Sequence, residues 1–180
     1  MADETVYSVV PTPLGPLTVA ANSAGLILAE FGEASEAEIR RAGSKHQLLR
    51  RFSPRNARGG QSVAERHLRT GIDAIRNYFK GEFDAFATVR IRPQGTEFQQ
   101  QVWKALRKIR PGTTKSYSEL AQQLGNPSAV RAVGMACKRN PLCLLIPCHR
   151  VIGKNQSLTG FAGGIERKAA LLKLEGLSLG

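Results

Sequence analysis

The stretch Ser116 to Lys138 reads SYSELAQQLGNPSAVRAVGMACK, and its punctuation decides the architecture of the C-terminal half. Ser116 followed three residues later by Glu119 is a capping-box pattern, in which the hydroxyl accepts from a first-turn amide and the carboxylate reaches back. The helix it opens runs through Leu120 and Leu124 to Gly125, a residue suited to a helix stop. Asn126-Pro127-Ser128 makes a turn, and Ala129 to Lys138 makes a second helix. Two short helices about a tight Gly-containing turn form the helix-turn-helix pattern, with a plain helical hairpin as the alternative. Upstream, Thr96 and Gln99 repeat the capping box. Phe98, Val102, Ala105, Leu106 and Ile109 form one apolar stripe there, ended by Pro111-Gly112.

The N-terminal half has a different period. Thr5 to Val10, Leu14 to Ala21 and Gly25 to Phe31 read as three strands joined by Pro11-Thr12-Pro13-Leu14-Gly15 and Asn22-Ser23-Ala24-Gly25, which predicts a small antiparallel sheet. Glu33 to Arg51 reads as a helix or a connection, and a flexible loop is expected near residues 53–62. A helix from about Val63 carries Leu68, Ile72, Ile75 and Phe79 on one face and stops at Gly81, and Ala85 to Ile91 reads as a further strand. The expected organisation is therefore two domains. Residues 1–93 form an α/β domain, a sheet with a helix, and residues 94–180 form a mainly helical domain that contains the helix-turn-helix pattern.

The 180 residues carry 26 Lys+Arg against 14 Asp+Glu, a formal net charge of +12. Residues 1–93 hold 13 basic and 10 acidic side chains, whereas residues 94–180 hold 13 and 4, so the positive field belongs to the C-terminal half. Such a bias supplies counterion-release affinity for a nucleic acid backbone, or else a solvated basic surface. No run of about 18 apolar residues occurs, and the Met1-Ala2-Asp3-Glu4 start is acidic where a signal peptide is basic. The expectation is a cytoplasmic protein with no membrane partner. Cys137, Cys143 and Cys148 are the three cysteines, all within twelve residues, which suits reduced thiols better than a disulfide scaffold.

The chemistry concentrates after the second helix, in Arg139-Asn140-Pro141-Leu142-Cys143-Leu144-Leu145-Ile146-Pro147-Cys148-His149-Arg150-Val151-Ile152-Gly153. A thiol is nucleophilic as thiolate, and Cys148 has an imidazole beside it and the guanidinium groups of Arg139 and Arg150 nearby, all expected to lower its pKa. Neighbouring side chains in extended backbone point apart, so proton transfer from Cys148 to His149 requires a turn or a bridging water. Three other readings stand beside this one. A zinc site on Cys137, Cys143, Cys148 and His149 has none of the usual ligand spacings; Cys143 between leucines reads as a small buried hydrophobe; a Cys-His protease usually has its histidine far away in sequence. Further on, the glycine-rich run Thr159 to Gly164 permits close approach to a flat ligand. Ile165 to Leu174 reads as a helix with Glu175 at its end, where the helix dipole disfavours a carboxylate unless something pairs with it.

Ile146-Pro147-Cys148-His149-Arg150-Val151, preceded by Asn140-Pro141 and followed by Gly160-Phe161-Ala162-Gly163-Gly164 and Leu171-Leu172-Lys173-Leu174-Glu175-Gly176, resembles the O6-alkylguanine-DNA alkyltransferases in their stand-alone bacterial form. The close likeness spans about Thr96 to Gly176. It implies a ribonuclease H-like N-terminal domain, a winged helix-turn-helix C-terminal domain and a single-use DNA repair reaction, in which the alkyl group of O6-alkylguanine or O4-alkylthymine passes irreversibly to Cys148. It implies that the base is flipped out through the minor groove. His149 then acts as base through a water, Glu175 orients the imidazole, Tyr117 donates to the purine and Asn140 braces the cysteine turn. Arg131 fills the space of the flipped base, with Ser128, Ala129, Ala132, Gly134, Lys138 and Arg139 along the DNA face and small residues, Ala136 included, allowing close approach. Val151, Phe161, Ala162 and Cys137 line the pocket, the carbonyls of Cys148 and Val151 accepting from the guanine amino group and the Ala162 amide donating to O6. Phe161 and Ala162 stand where relatives often carry tyrosine and serine. No cofactor and no metal is implied, and the partner is double-stranded DNA, met by a monomer that clusters on it. A lesion-sensing module that does not repair, and a helix-turn-helix regulator, are the competing readings; the presence of Cys148 separates the first from repair.

Overall fold

A computed structural model describes residues 4–43, 48–52, 62–155 and 157–177. The chain divides into two compact units, Met1–Gln94 and Gly95–Gly180. The expected loop near residues 53–62 lies outside the described residues except for Ser62, which caps a helix.

The first unit is a sheet of β1 (Glu4–Thr12), β2 (Gly15–Asn22), β3 (Gly25–Phe31) and β4 (Leu48–Arg51) in the order β3-β2-β1-β4. The three strands legible in sequence pair antiparallel, with Val10 opposite Leu17 and Ala20 opposite Leu28. β4 adds a fourth strand, parallel to β1, that the reading of Glu33 to Arg51 did not contain. Its residues Leu48-Leu49-Arg50-Arg51 alternate weakly because an edge strand has only one neighbour to satisfy. Arg50 donates there to Glu4 at 2.7 Å and Glu65 at 2.6 Å.

Helix α1 (Glu36–Ala42), opened by a Ser35–Glu38 capping box, packs Ile39 on Ala20, Ile27 and Leu28. Helix α2 (Val63–Tyr78) buries Leu68, Ile72 and Ile75, as its spacing requires. The expected strand Ala85 to Ile91 does not form. Phe83–Phe86 is a 3-10 turn that stacks Phe86 on Tyr78 at 5.3 Å, and only Ile91 makes a bridge, to Leu26. At that bridge Gly25 has φ +143°, and a Cβ there would stand 2.7 Å from the Arg90 carbonyl oxygen. Gly25→Ala is therefore expected to cost about 1–3 kcal/mol in urea unfolding, from left-handed strain and the backbone clash together.

The second unit holds α3 (Glu97–Leu106), α4 (Tyr117–Gln123), α5 (Val130–Lys138) and α6 (Ile165–Leu174), with a two-strand pair of β5 (Lys115–Ser116) and β6 (Val151–Ile152). Both expected capping boxes form, on Thr96 with Gln99 and on Ser116 with Glu119. Gly125 turns the chain at φ +75° between α4 and α5, which completes the helix-turn-helix. Trp103 Nε1 on α3 donates to the Ala136 carbonyl at 3.0 Å and pins α5 from behind.

Candidate active site and nucleic-acid interface

The segment after α5 is shaped by Asn140. Its Oδ1 accepts from the Leu142 amide at 3.0 Å, and its Nδ2 donates to the Ile146 carbonyl at 2.8 Å and to Cys148 Sγ at 3.2 Å. The loop between is apolar and buried, and it passes through Leu144 at φ +72°, the non-glycine residue with left-handed backbone among the described residues. That conformation costs a leucine about 1–2 kcal/mol, offset here by the buried side chain and the Asn140 hydrogen bonds. Cys148–Arg150 then forms a 3-10 turn. The adjacent thiol and imidazole therefore sit on a bent backbone rather than an extended one.

His149 is fully buried, and its Nε2 meets Glu175 Oε1 at 2.9 Å. A carboxylate only accepts, so Nε2 carries the proton and Nδ1 presents its lone pair. His149 Nδ1 is a buried ring nitrogen with no hydrogen-bond partner within the protein, a property it shares among the described side chains with Arg69 Nε. Burial pushes His149 below the usual histidine range; the hydrogen bond it donates to Glu175 and that carboxylate's charge oppose this, and the charges of Arg150 and Lys168 add to it. The imidazole is therefore neutral at pH 7 and able to take a proton.

Glu175 caps the C-terminus of α6, and the partner its position demanded is Arg150. Arg150 Nε donates to Oε2 at 2.9 Å and Nη2 to Oε1 at 2.8 Å, a two-point grip in which both side chains are nearly or wholly buried. Its Nη1 donates to the Ile109 carbonyl at 2.6 Å. Arg150 is thus spent on Glu175, and Arg139 is exposed, so neither guanidinium serves Cys148 as expected from sequence. Instead a hydrogen bond with the Cys143 thiol, the amide of Asn140 and the charge of Lys168 hold the Cys148 thiol below the usual cysteine range, against burial. Cys143 is accordingly more than the buried hydrophobe its leucine neighbours suggested. Cys137 behaves as an inert thiol, pushed up to about 12 by burial.

Around Cys148, Val151 and Phe161 are buried, and the Phe161 ring meets His149 edge-on with centroids 6.5 Å apart. Ala162 is exposed in the glycine-rich segment. Tyr117, the first residue of α4, donates to the Thr159 carbonyl at 3.2 Å, and burial raises its phenol to about 12, so it stays a neutral donor. Lys168 on α6 is fully buried and donates to the carbonyls of Val151 and Thr159.

On α5, Arg131, Ala132, Met135 and Lys138 are exposed, as are Ser128 before it and Arg139 just after it, with Ala129 half-buried. This face carries three cations and no carboxylate. Two small residues differ from their expected placement. Ala136 is buried beneath the helix, and Gly134 is half-buried with its missing Cβ directed at the Tyr117 ring, 3.9 Å away. Among the described residues no group of three His, Cys, Asp or Glu is placed to hold a metal, and no helix is long and apolar enough to cross a membrane.

Residues 5–93 match the family model of the 6-O-methylguanine DNA methyltransferase ribonuclease-like domain, and residues 97–177 match that of its DNA binding domain. The methylated-DNA–protein-cysteine methyltransferase of Methanosarcina acetivorans is 39% identical over 94% of this chain and 97% of its own length. The chain belongs to the 6-O-methylguanine DNA methyltransferase family. The crystal structure of the Mycobacterium tuberculosis O6-methylguanine methyltransferase superposes with a TM-score of 0.73 at 38% identity, covering 95% of this chain and 92% of that one. A second structure from that organism, of OGT in complex with DNA, also has a TM-score of 0.73 at 38% identity and covers 94% of this chain and 92% of its own.

Within this methyltransferase the expected residues pair off, Asn140 with Cys148 and Glu175 with His149, the next residue of the same turn, while Tyr117 donates to Thr159. Arg150 was expected to act on Cys148 rather than to hold Glu175, and Lys168 carried no expectation at all. For Arg150 the signal was the unpaired carboxylate at a helix end; for Lys168 nothing in its own helix marks it.

Proposed function

We propose that this chain repairs DNA by accepting, once and irreversibly, the alkyl group from O6-alkylguanine on Cys148. The carrying observation is that one buried neighbourhood contains a thiol held below its usual range and a neutral imidazole whose Nε2 is tied to Glu175 while Nδ1 keeps its lone pair. His149 Nδ1 takes the thiol proton through one bridging water. The Cys148 sulfur then attacks the alkyl carbon as the carbon–O6 bond breaks, and the electron pair leaves with the guanine, whose charge Tyr117 offsets by donating to the purine. The thioether is stable, so the protein is consumed.

The exposed face of α5 supplies the approach. Lys138 and Arg139 meet phosphates, Arg131 fills the gap left by the flipped base, and Ser128, Ala129 and Ala132 permit close contact with a minor groove. Gly134 acts from behind this face by admitting Tyr117. Val151, Phe161, Ala162 and Cys137 line the base pocket, and the protein meets double-stranded DNA as a monomer. The minor groove carries little sequence information, which suits a protein that must act anywhere.

The test is a count. With duplex carrying a single O6-methylguanine, each protein molecule is expected to remove one lesion and then stop, and Cys148→Ala to remove none. Continued turnover, or removal by Cys148→Ala, would overturn the reading.

A further inference from the structure

The Cys143 thiol is hydrogen-bonded to the Cys148 thiol, and the repair chemistry makes no use of its sulfur as a reactive group. All three cysteines are free and buried. The contact is built into the chain between the two. Ile146 donates its amide to the Leu142 carbonyl at 2.9 Å, which closes a turn around Leu144, whose backbone is left-handed at φ +72°. Asn140 then ties the turn to the sulfur: its Oδ1 accepts from Leu142, the residue before Cys143, and its Nδ2 donates to Cys148 Sγ at 3.2 Å. Cys137 lies outside this turn, on α5, and burial pushes its thiol up to about 12.

A thiolate is the form of cysteine that attacks a peroxide, and Cys148 is the thiol held below the usual range. Its site has to admit an alkylated base, so a molecule as small as hydrogen peroxide reaches the same sulfur. The Cys148 thiolate attacks one peroxide oxygen: the S–O bond forms, the O–O bond breaks, and the hydroxide released takes up the proton that Cys148 gave up. A sulfenic acid left in this state adds further oxygen and becomes a sulfinic acid, which a thiol reductant does not restore. Here a second thiol stands against it. The Cys143 sulfur attacks the Cys148 sulfur, the S–S bond forms, the S–O bond breaks, and the leaving hydroxide takes the Cys143 proton as a second water. Each sulfur loses one electron, the peroxide is reduced to two waters, and a dithiol reverses the bridge by exchange. We infer that Cys143 is the resolving thiol of Cys148: oxidation of the acceptor cysteine by a hydroperoxide ends in a reversible Cys143–Cys148 disulfide that preserves it for use. The protective sense of the bridge rests on the repair reading above, whereas its formation does not.

The experiment treats the full chain with excess hydrogen peroxide, caps the remaining thiols and reads the cysteine peptides by mass. Methyl transfer from an O6-methylguanine duplex is measured before treatment, after it, and after dithiothreitol. Each value is taken relative to that protein's own untreated activity, because Cys143 also helps hold the Cys148 thiol down. Wild type is expected to yield one peptide pair joined through Cys143 and Cys148, lighter by two hydrogens, with Cys137 capped. Its transfer should fall at least about tenfold and return to about four-fifths or more on reduction. Cys143→Ser keeps a small hydrogen-bond donor but cannot form the bridge, so its Cys148 should gain two oxygens and recover less than about a tenth of its activity. A wild-type Cys148 that carries two oxygens while Cys143 stays free overturns the inference, as does a bridge to Cys137 or between two molecules, an absence of reaction, or a Cys143→Ser protein that recovers as fully as wild type. The wild-type peptide map needs no variant, so it decides the matter even where Cys143→Ser does not fold. Untreated wild type that transfers no methyl group counts instead against the repair reading, and the same map still decides the bridge.

Discussion

Arg150→Met is expected to destabilise the protein by about 3–5 kcal/mol and to remove most methyl transfer at pH 7. The grip of Arg150 on Glu175 lies in the interior, and removing one partner strands a buried carboxylate rather than merely deleting a contact. The loss also changes the base. Arg150 helps hold the His149 pKa down, whereas Glu175 raises it. Without the arginine that opposition weakens: burial and Lys168 still hold the imidazole down, but its pKa rises, and Nδ1 stops accepting at a higher pH than in the wild type. The activity that survives should therefore recover as pH is raised. Urea unfolding and single-turnover rates between pH 5.5 and 9 would check both parts; a stability change under about 1 kcal/mol, or an unshifted pH profile, would contradict the assignment.

His149→Gln should slow transfer by about 100- to 10,000-fold, the usual range for a lost general base, while leaving lesion binding nearly unchanged. The wild-type profile carries the same signature. Because the folded-state pKa of His149 is lowered from its ordinary 6.5, the base stays active as pH falls through 6.5 and is lost only below it. The stability sign agrees. An imidazole buried neutral contributes stability that is fully present above about pH 6.5 and is lost as pH falls through the lowered folded value, since the unfolded chain takes up the proton first. A transfer rate that already halves at pH 6.5 would show that the base titrates in the ordinary histidine range, against a lowered His149.

Much of this site was legible because its residues break local rules. Glu175 stands at a helix end that repels a carboxylate, so a partner had to exist; which partner was not legible, because Arg150 is 25 positions away and reaches Glu175 only after the 3-10 turn forms. Arg150 was instead read as a charge acting on Cys148, a reading from sequence distance that geometry reverses. Lys168 escaped notice for a related reason. In α6 it looks like any helix lysine, and its burial depends on the Thr159 segment folding over it. Cys143 looked like packing because its neighbours are leucines, yet backbone turning at Leu144 brings its thiol to Cys148. In the fold, capping boxes gave reliable helix starts at Thr96 and Ser116 since both halves of the signal are local. The β4 edge strand and the 3-10 turn at Phe83–Phe86 were hidden because parallel pairing to β1 and stacking on Tyr78 are distant contacts.

The central claim is that Cys148 itself ends up carrying the alkyl group. Peptide mass spectrometry after incubation with O6-methylguanine duplex tests it most directly. The Cys148 peptide should gain the mass of one methylene in proportion to lesion lost, with the Cys137 and Cys143 positions unmodified and no gain on unmodified DNA. A methyl group found on another residue, or lesion loss with Cys148 unchanged, would contradict the account.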